Sequence, residues 1–182
     1  MRKTSRTWLT GAAAVALSVA GIAAGNIAGA QDASSSVPAC SAADLTARVT
    51  GSGAGMSQLA VYITVTNATT HSCSLNGYPT ITSMFTAHGR QQITVKKGAV
   101  MNAPAITPKN IVLKPKDHAW FAVGAATAYD PPIVTFIRLR FATTSNSSTA
   151  TVRHLALQAS APKGKAFPIG VTAFAAGASP AA

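Results

Sequence analysis

The chain contains no glutamate, and its only acids are Asp32, Asp44, Asp117 and Asp130. Glycoside-type hydrolysis needs two carboxylates held across a substrate. With Asp117 and Asp130 set among lysine and proline in surface-turn contexts, no such pair is expected. Cysteine is scarcer still, at Cys40 and Cys73 alone. His71, His88, His118 and His154 show no His-x-x-x-His spacing, and no Cys-x-x-Cys occurs, so the common zinc signatures are excluded. The serine patterns fail too. Gly51-Ser-Gly-Ala-Gly55 has the wrong register for a nucleophile elbow and no helix after it. Ser160-Ala-Pro-Lys163 matches Ser-x-x-Lys in letters, but Pro162 breaks the helix that would aim Lys163 at Ser160. Neither an enzyme nor a bound cofactor is expected.

Missing acids leave a basic chain. After residue 30 there are twelve Lys and Arg against four Asp, a net charge of +8. The excess comes without dense clusters; the longest groupings are Lys96-Lys97, Lys114-Pro-Lys116 and Arg138-Leu-Arg140. Such a balance favours anionic surfaces such as envelope polymers or lipid headgroups. The alternative is that it only keeps the domain soluble. Lys114, Lys116, Arg138 and Arg140 are the candidate contacts. No nucleic-acid motif accompanies the charge, so a nucleic-acid partner is not expected.

The start of the chain carries Arg2, Lys3 and Arg6, then an apolar stretch over 8–24, then Ala28-Gly29-Ala30. A basic start, a short apolar run and an A-x-A ending form a signal peptide over 1–30, cleaved after Ala30. A retained anchor is the alternative, although the run is rich in Ala and Gly and barely long enough to span a bilayer. No transmembrane segment is expected after cleavage. The two cysteines then form an even pair in an oxidising compartment, read as a disulfide, with two free thiols as the alternative.

Residues 31–39 are small and polar and read as a disordered mature N-terminus. Leu59, Val61, Ile63 and Val65 alternate with Ala60, Tyr62, Thr64 and Thr66, the period-two pattern of a strand with one buried face. Further strands are expected over 44–50, 80–86, 91–97, 111–113, 118–125, 133–141 and 151–157. In the stretch 133–141, Ile133, Thr135, Ile137, Leu139 and Phe141 are expected on one face and Val134, Phe136, Arg138 and Arg140 on the other. Residues 51–55 read as a flexible hairpin loop, 98–110 as a proline-containing loop and 175–182 as a disordered tail; whether 166–174 adds a strand is left open. Seven or eight short strands with turn signals between them predict an all-β, antiparallel immunoglobulin-like sandwich in a single domain over 40–174.

Tyr62-Ile-Thr-Val-Thr-Asn67, Cys73-Ser-Leu75 and Gly77-Tyr78-Pro79 follow in an order that resembles the signature of domain-of-unknown-function family 4232, found in secreted and lipid-anchored actinobacterial proteins. The stretch 112–121 is similar to that family's Leu-x-Pro-Gly segment, with Lys116 where glycine is usual. The resemblance covers about residues 40–157. It implies a secreted sandwich with Cys40 bridged to Cys73, and it supplies no activity. A second cysteine pair common in that family is absent here. Physically, Asn67 can take a left-handed turn and bond neighbouring backbone. Gly77 permits a positive φ, Pro79 fixes the exit into the next strand, and Tyr78 packs its ring.

Two softer motifs remain. Met84 and His88 flank a hairpin, and thioether plus imidazole suits copper; the competing reading puts Met84 in the core and His88 on a surface turn. Asn67-Ala-Thr69 and Asn146-Ser-Ser148 fit the glycosylation sequon and are also ordinary turn sequences. The sequence therefore predicts a secreted, non-enzymatic binding module, with partner contacts from loops 51–55, 67–72, 98–110 and 143–149. The sequence does not name the partner; an anionic envelope polymer and another extracellular protein are the candidates, with an exported copper carrier as the alternative function.

Overall fold

Period-two alternation makes strands here, and a computed structural model shows how they assemble. It describes residues 37–127, 132–143 and 148–180. These form a short 3₁₀ helix (Ala42–Asp44) and twelve strands: β1 (Leu45–Gly55), β2 (Gln58–Asn67), β3 (Cys73–Asn76), β4 (Thr80–Thr86), β5 (Gly89–Gln91), β6 (Ile93–Lys97), β7 (Asn110–Leu113), β8 (His118–Ala126), β9 (Ile133–Ala142), β10 (Ala150–Ser160), β11 (Phe167–Val171) and β12 (Ala175–Ala176). The expected signal peptide, residues 31–36 and the middle of the 143–149 turn lie outside the described residues. Among the described residues no helix is long and apolar enough to cross a membrane.

The all-β expectation holds. One sheet runs β1-β2-β8-β11-β6, with β12 also paired to β8; a second runs β10-β9-β4-β5; β3 and β7 pair apart from both. The strand count exceeds the expected seven or eight because very short pieces pair on their own: β3, β5 and β12 have four, three and two residues. The open question at 166–174 is answered by β11, which lies inside the larger sheet, antiparallel to β8 and parallel to β6.

The core fills the space between the two large sheets. Val61, Ile63, Val65, Phe121 and Val123 from one meet Met84, Phe136, Leu139, Phe141, Val152 and Leu157 from the other. Phe121 packs edge-on against Phe141 at 5.2 Å and Phe174 at 5.5 Å between ring centroids. Each such pair adds about 0.5–1.5 kcal/mol beyond the area it buries. Cys40 and Cys73 are joined in a disulfide across 33 positions of sequence, worth about 3.5–4 kcal/mol on the chain-entropy model.

Several local expectations are corrected. Residues 51–55 are not a loop: they continue β1, and the hairpin turns at Met56 and Ser57, both with positive φ (50° and 58°), as a two-residue type I′ turn requires. The glycines there serve close approach. A Cβ on Gly53 would sit 2.7 Å from the Asn102 carbonyl oxygen. Residues 37–39 are tied down by backbone bonding, with the Ser74 amide donating to the Pro38 carbonyl at 2.8 Å. The tail is held as well: Ala175 pairs with Trp120 in register, and the Ser179 hydroxyl lies 2.8 Å from that of Thr50.

Loop 98–110 packs down on one side and keeps most of its residues exposed on the other. It lies over the outer surface of the larger sheet, where Tyr62, Trp120 and Ala122 form a second apolar cluster with Ala103, Ile106 and Ala175 packed on it. The Tyr62 hydroxyl donates to the Asn102 carbonyl. Val100 is buried against Gly124, where a Cβ would come within 2.2 Å of its Cγ1. The middle of the larger sheet, over β2 and β8, is thus covered on both sides.

Candidate functional site

The smaller sheet carries its chemistry on its outer face. In β4, Met84 points into the core and Phe85 the other way. In β9, Arg138 and Arg140 alternate with buried Leu139. Register then aligns four residues across four strands: Arg90 opposes Phe85, Phe85 opposes Arg138, and Arg138 opposes Arg153. Directly opposed residues of an antiparallel pair share a face, with Cβ atoms about 5 Å apart. With strands about 4.8 Å apart, the row is about 14 Å long.

Each member is held differently. The Arg138 guanidinium lies over the Phe85 ring, 4.2 Å from its centroid, a cation–π stack that fixes the charge without a carboxylate. Arg90 Nη2 donates to the Thr82 carbonyl at 3.3 Å, and Arg140 Nη2 donates to Thr149 Oγ1 at 3.0 Å. Beyond the β10 edge, Arg48 of β1 lines a shallow groove of about 270 Å³ together with Arg153 and His154. The two acids among the described residues are engaged elsewhere: Asp44 accepts from the Ser41 amide and Asp117 from the Lys114 amide. Like charges directly opposed in a sheet cost stability. The Arg138–Arg153 pairing is such a case.

Next to this pair β10 departs from regular pairing. Four steps along β10, Arg153 to Leu157, oppose two steps along β9, Arg138 to Phe136. His154 and Ala156 take positive φ (57° and 51°) within the bulge. Left-handed backbone at a non-glycine residue costs about 1–3 kcal/mol. The bulge twists the sheet locally, and the faces of β9 switch across from it. Here the expected assignment of β9 is corrected. Ile133, Thr135 and Ile137 are exposed, Phe136, Leu139 and Phe141 are buried, and Ile137 and Arg138 are exposed in succession. The result is a hollow of about 600 Å³ lined by Phe85, Thr86, Thr135, Ile137, Arg138, Arg153, His154 and Ala156.

A family model described as Domain of unknown function (DUF4232) matches residues 40–175. The chain belongs to this family. The matched span runs past the 157 reached by the sequence motifs and takes in β11 and the whole arginine row. No curated protein and no solved structure matches the chain significantly.

The family motif residues sit in a separate region. Asn67 is buried, and its Nδ2 donates to the His71 carbonyl at 2.8 Å and the Leu113 carbonyl at 3.1 Å. Its Oδ1 accepts from the Thr69 amide and hydroxyl at 3.0 and 2.8 Å. It bonds neighbouring backbone as expected, but from the end of a strand and not from a left-handed turn. These bonds occupy the sequon nitrogen and tie down the loop 67–72. Gly77 does take positive φ (67°), and its carbonyl accepts the Phe174 amide at 2.9 Å. Pro79 is buried, and half-buried Tyr78 lies under Lys97 Nζ, 5.9 Å from the ring centroid.

Of the candidate basic contacts, Arg138 and Arg140 come together, whereas Lys114 and Lys116 belong to the β7–β8 turn with Asp117 beside them. Met84 is fully buried in the core and His88 exposed in the β4–β5 turn. Among the described residues, no three His, Cys, Asp or Glu side chains cluster as a metal site would need. Sequence reasoning missed Arg90, Arg153, Phe85 and His154. Phe85 and Arg153 lie in strand segments, Arg90 just after a turn and His154 in the bulge; only the register brings Arg90, Phe85 and Arg153 into line with Arg138.

Proposed function

We propose that this protein is an exported, non-enzymatic binding module that docks on an anionic envelope polymer through the outer face of its smaller sheet. The observation that carries this reading is the row Arg90, Phe85, Arg138, Arg153, extended by Arg140 and Arg48 and faced by no carboxylate among the described residues. Its like-charge neighbours work against stability, which makes sense for a face whose counter-charge arrives with a partner. The basic, apolar first thirty residues and the disulfide support export. Strands make a rigid base for the charges, so little ordering entropy is lost on docking.

Co-sedimentation of the purified protein with isolated cell envelopes and with polyphosphate tests the reading. Retention should fall as salt shortens the screening length from about 10 Å at 0.1 M to about 3 Å at 1 M. Replacing Arg138 and Arg153 together by Gln should weaken binding about thirtyfold, at about 1 kcal/mol per basic residue near an anionic surface. Lys114→Gln with Lys116→Gln should weaken it about threefold at most, because that turn already holds Asp117. Equal losses from the two pairs, or salt-insensitive retention, would overturn the electrostatic reading.

A further inference from the structure

The arginine row alone would bind any anion, but the hollow beside it carries a second kind of chemistry. Ile137 is 46% exposed at its wall, next in sequence to Arg138, and the bulge that forms the wall is kept despite two left-handed non-glycine residues. Apolar side chains are ordinarily turned inward on a strand with an exposed face, and the switch on β9 turns this one outward beside two cations. At about 600 Å³ the hollow lies within the range of small-molecule sites, about 300–1,000 Å³. Its lining divides by chemistry: Ile137, Phe85 and Ala156 offer apolar surface, while Arg138 and Arg153 offer a pair of guanidinium forks. Such forks suit the oxygens of a phosphate or carboxylate.

We infer that this hollow takes a small anionic amphiphile, an oxyanion headgroup on a short apolar body, with the headgroup on Arg138 and Arg153 and the body against Ile137. The inference rests on the anion-binding character read for this face and adds to it a second, small ligand with its own apolar contact. The apolar lining is confined to Ile137, Phe85 and Ala156 with the two cations beside it, a patch of small-molecule size, so the occupant is a free molecule and not a lipid held in a bilayer.

Titration calorimetry with decyl phosphate, below its micelle-forming concentration, tests this on the purified protein. Saturable one-to-one binding is expected, at least about tenfold tighter than inorganic phosphate, because the alkyl chain buries apolar surface. Arg153→Gln should weaken it about tenfold through loss of a charge-assisted bond. Ile137→Ser should weaken it about tenfold through loss of apolar contact while leaving envelope retention unchanged. Inorganic phosphate binding as well as decyl phosphate, or no loss in Ile137→Ser, would overturn the inference. So would tight binding to anionic phospholipid vesicles that Ile137→Ser abolishes without any saturable decyl phosphate site. Absent envelope retention with intact decyl phosphate binding would remove polymer docking and leave the hollow standing, so the two readings fail separately.

Discussion

The two outer faces of this sandwich are built from the same kind of strand and finished in opposite ways. On the larger sheet, Tyr62 and Trp120 meet edge-on at 5.8 Å between centroids and are roofed by the loop 98–110. Small residues make room there: Gly53 clears the Asn102 carbonyl and Gly124 clears Val100. On the smaller sheet no loop descends among the described residues, and the outward positions hold Arg90, Arg138, Arg140 and Arg153. One face has been converted into a second core and adds stability; the other keeps its charges in water at a cost in stability. A face that is neither buried nor neutralised is the place to look for a partner.

Three changes would break or sharpen this contrast. The largest acts below both faces. Replacing Cys40 and Cys73 by Ser should cost about 3–4 kcal/mol in chemical denaturation, with the folded fraction still binding polyphosphate normally. A loss of binding in molecules that remain folded would mean that the arginine face depends on the third, β3–β7 sheet. Second, Gly124→Val should push Val100 and its loop off the covered face and cost about 2–3 kcal/mol by overpacking. Polymer binding by the folded protein should be unaffected; a parallel fall in both would show the faces to be coupled. The smallest effect has the opposite sign. Arg153→Gln removes the like charge opposite Arg138 and should raise stability by about 0.2–1 kcal/mol while weakening polymer binding about fivefold. A variant that loses stability instead would show Arg153 to be a structural residue.

The sequence carried the strands and the disulfide well, because both are local or forced. Four alternating apolar residues from Leu59 to Val65 allow little besides a strand, and two cysteines allow a single pairing. Gly77 was legible for the same reason: a turn between Asn76 and Tyr78 needs a positive φ that glycine adopts freely. The candidate site was half legible. Arg138 and Arg140 stand out as a pair, but Arg90 and Arg153 join them only through the pairing of β5 with β4 and β10 with β9. Register between strands far apart in sequence is set by packing and bulges, and no local pattern encodes it. The bulge between Arg153 and Leu157 also reversed the faces of β9, which strict alternation could not foresee. Residues 51–55 misled in a different way. A glycine-rich run suits a flexible loop and a closely approached strand equally well, and here Gly53 and Gly55 serve the approach of Asn102.

The place of β11 bears on how the molecule comes to be folded. Its residues pair with β6 across 74 positions of sequence, as Phe167 does with Ile93, and with β8 on the other side. Until residue 171 is available, β6 has no partner strand and the larger sheet ends at β8. Contacts of such long range make folding slow. A nascent chain emerging from the ribosome would expose the Val123 edge of β8 and the whole of β6, and the sheet would close in one late step. Deleting the segment 167–171 should therefore leave an aggregation-prone chain and not a smaller domain, since two strand edges would stay open together.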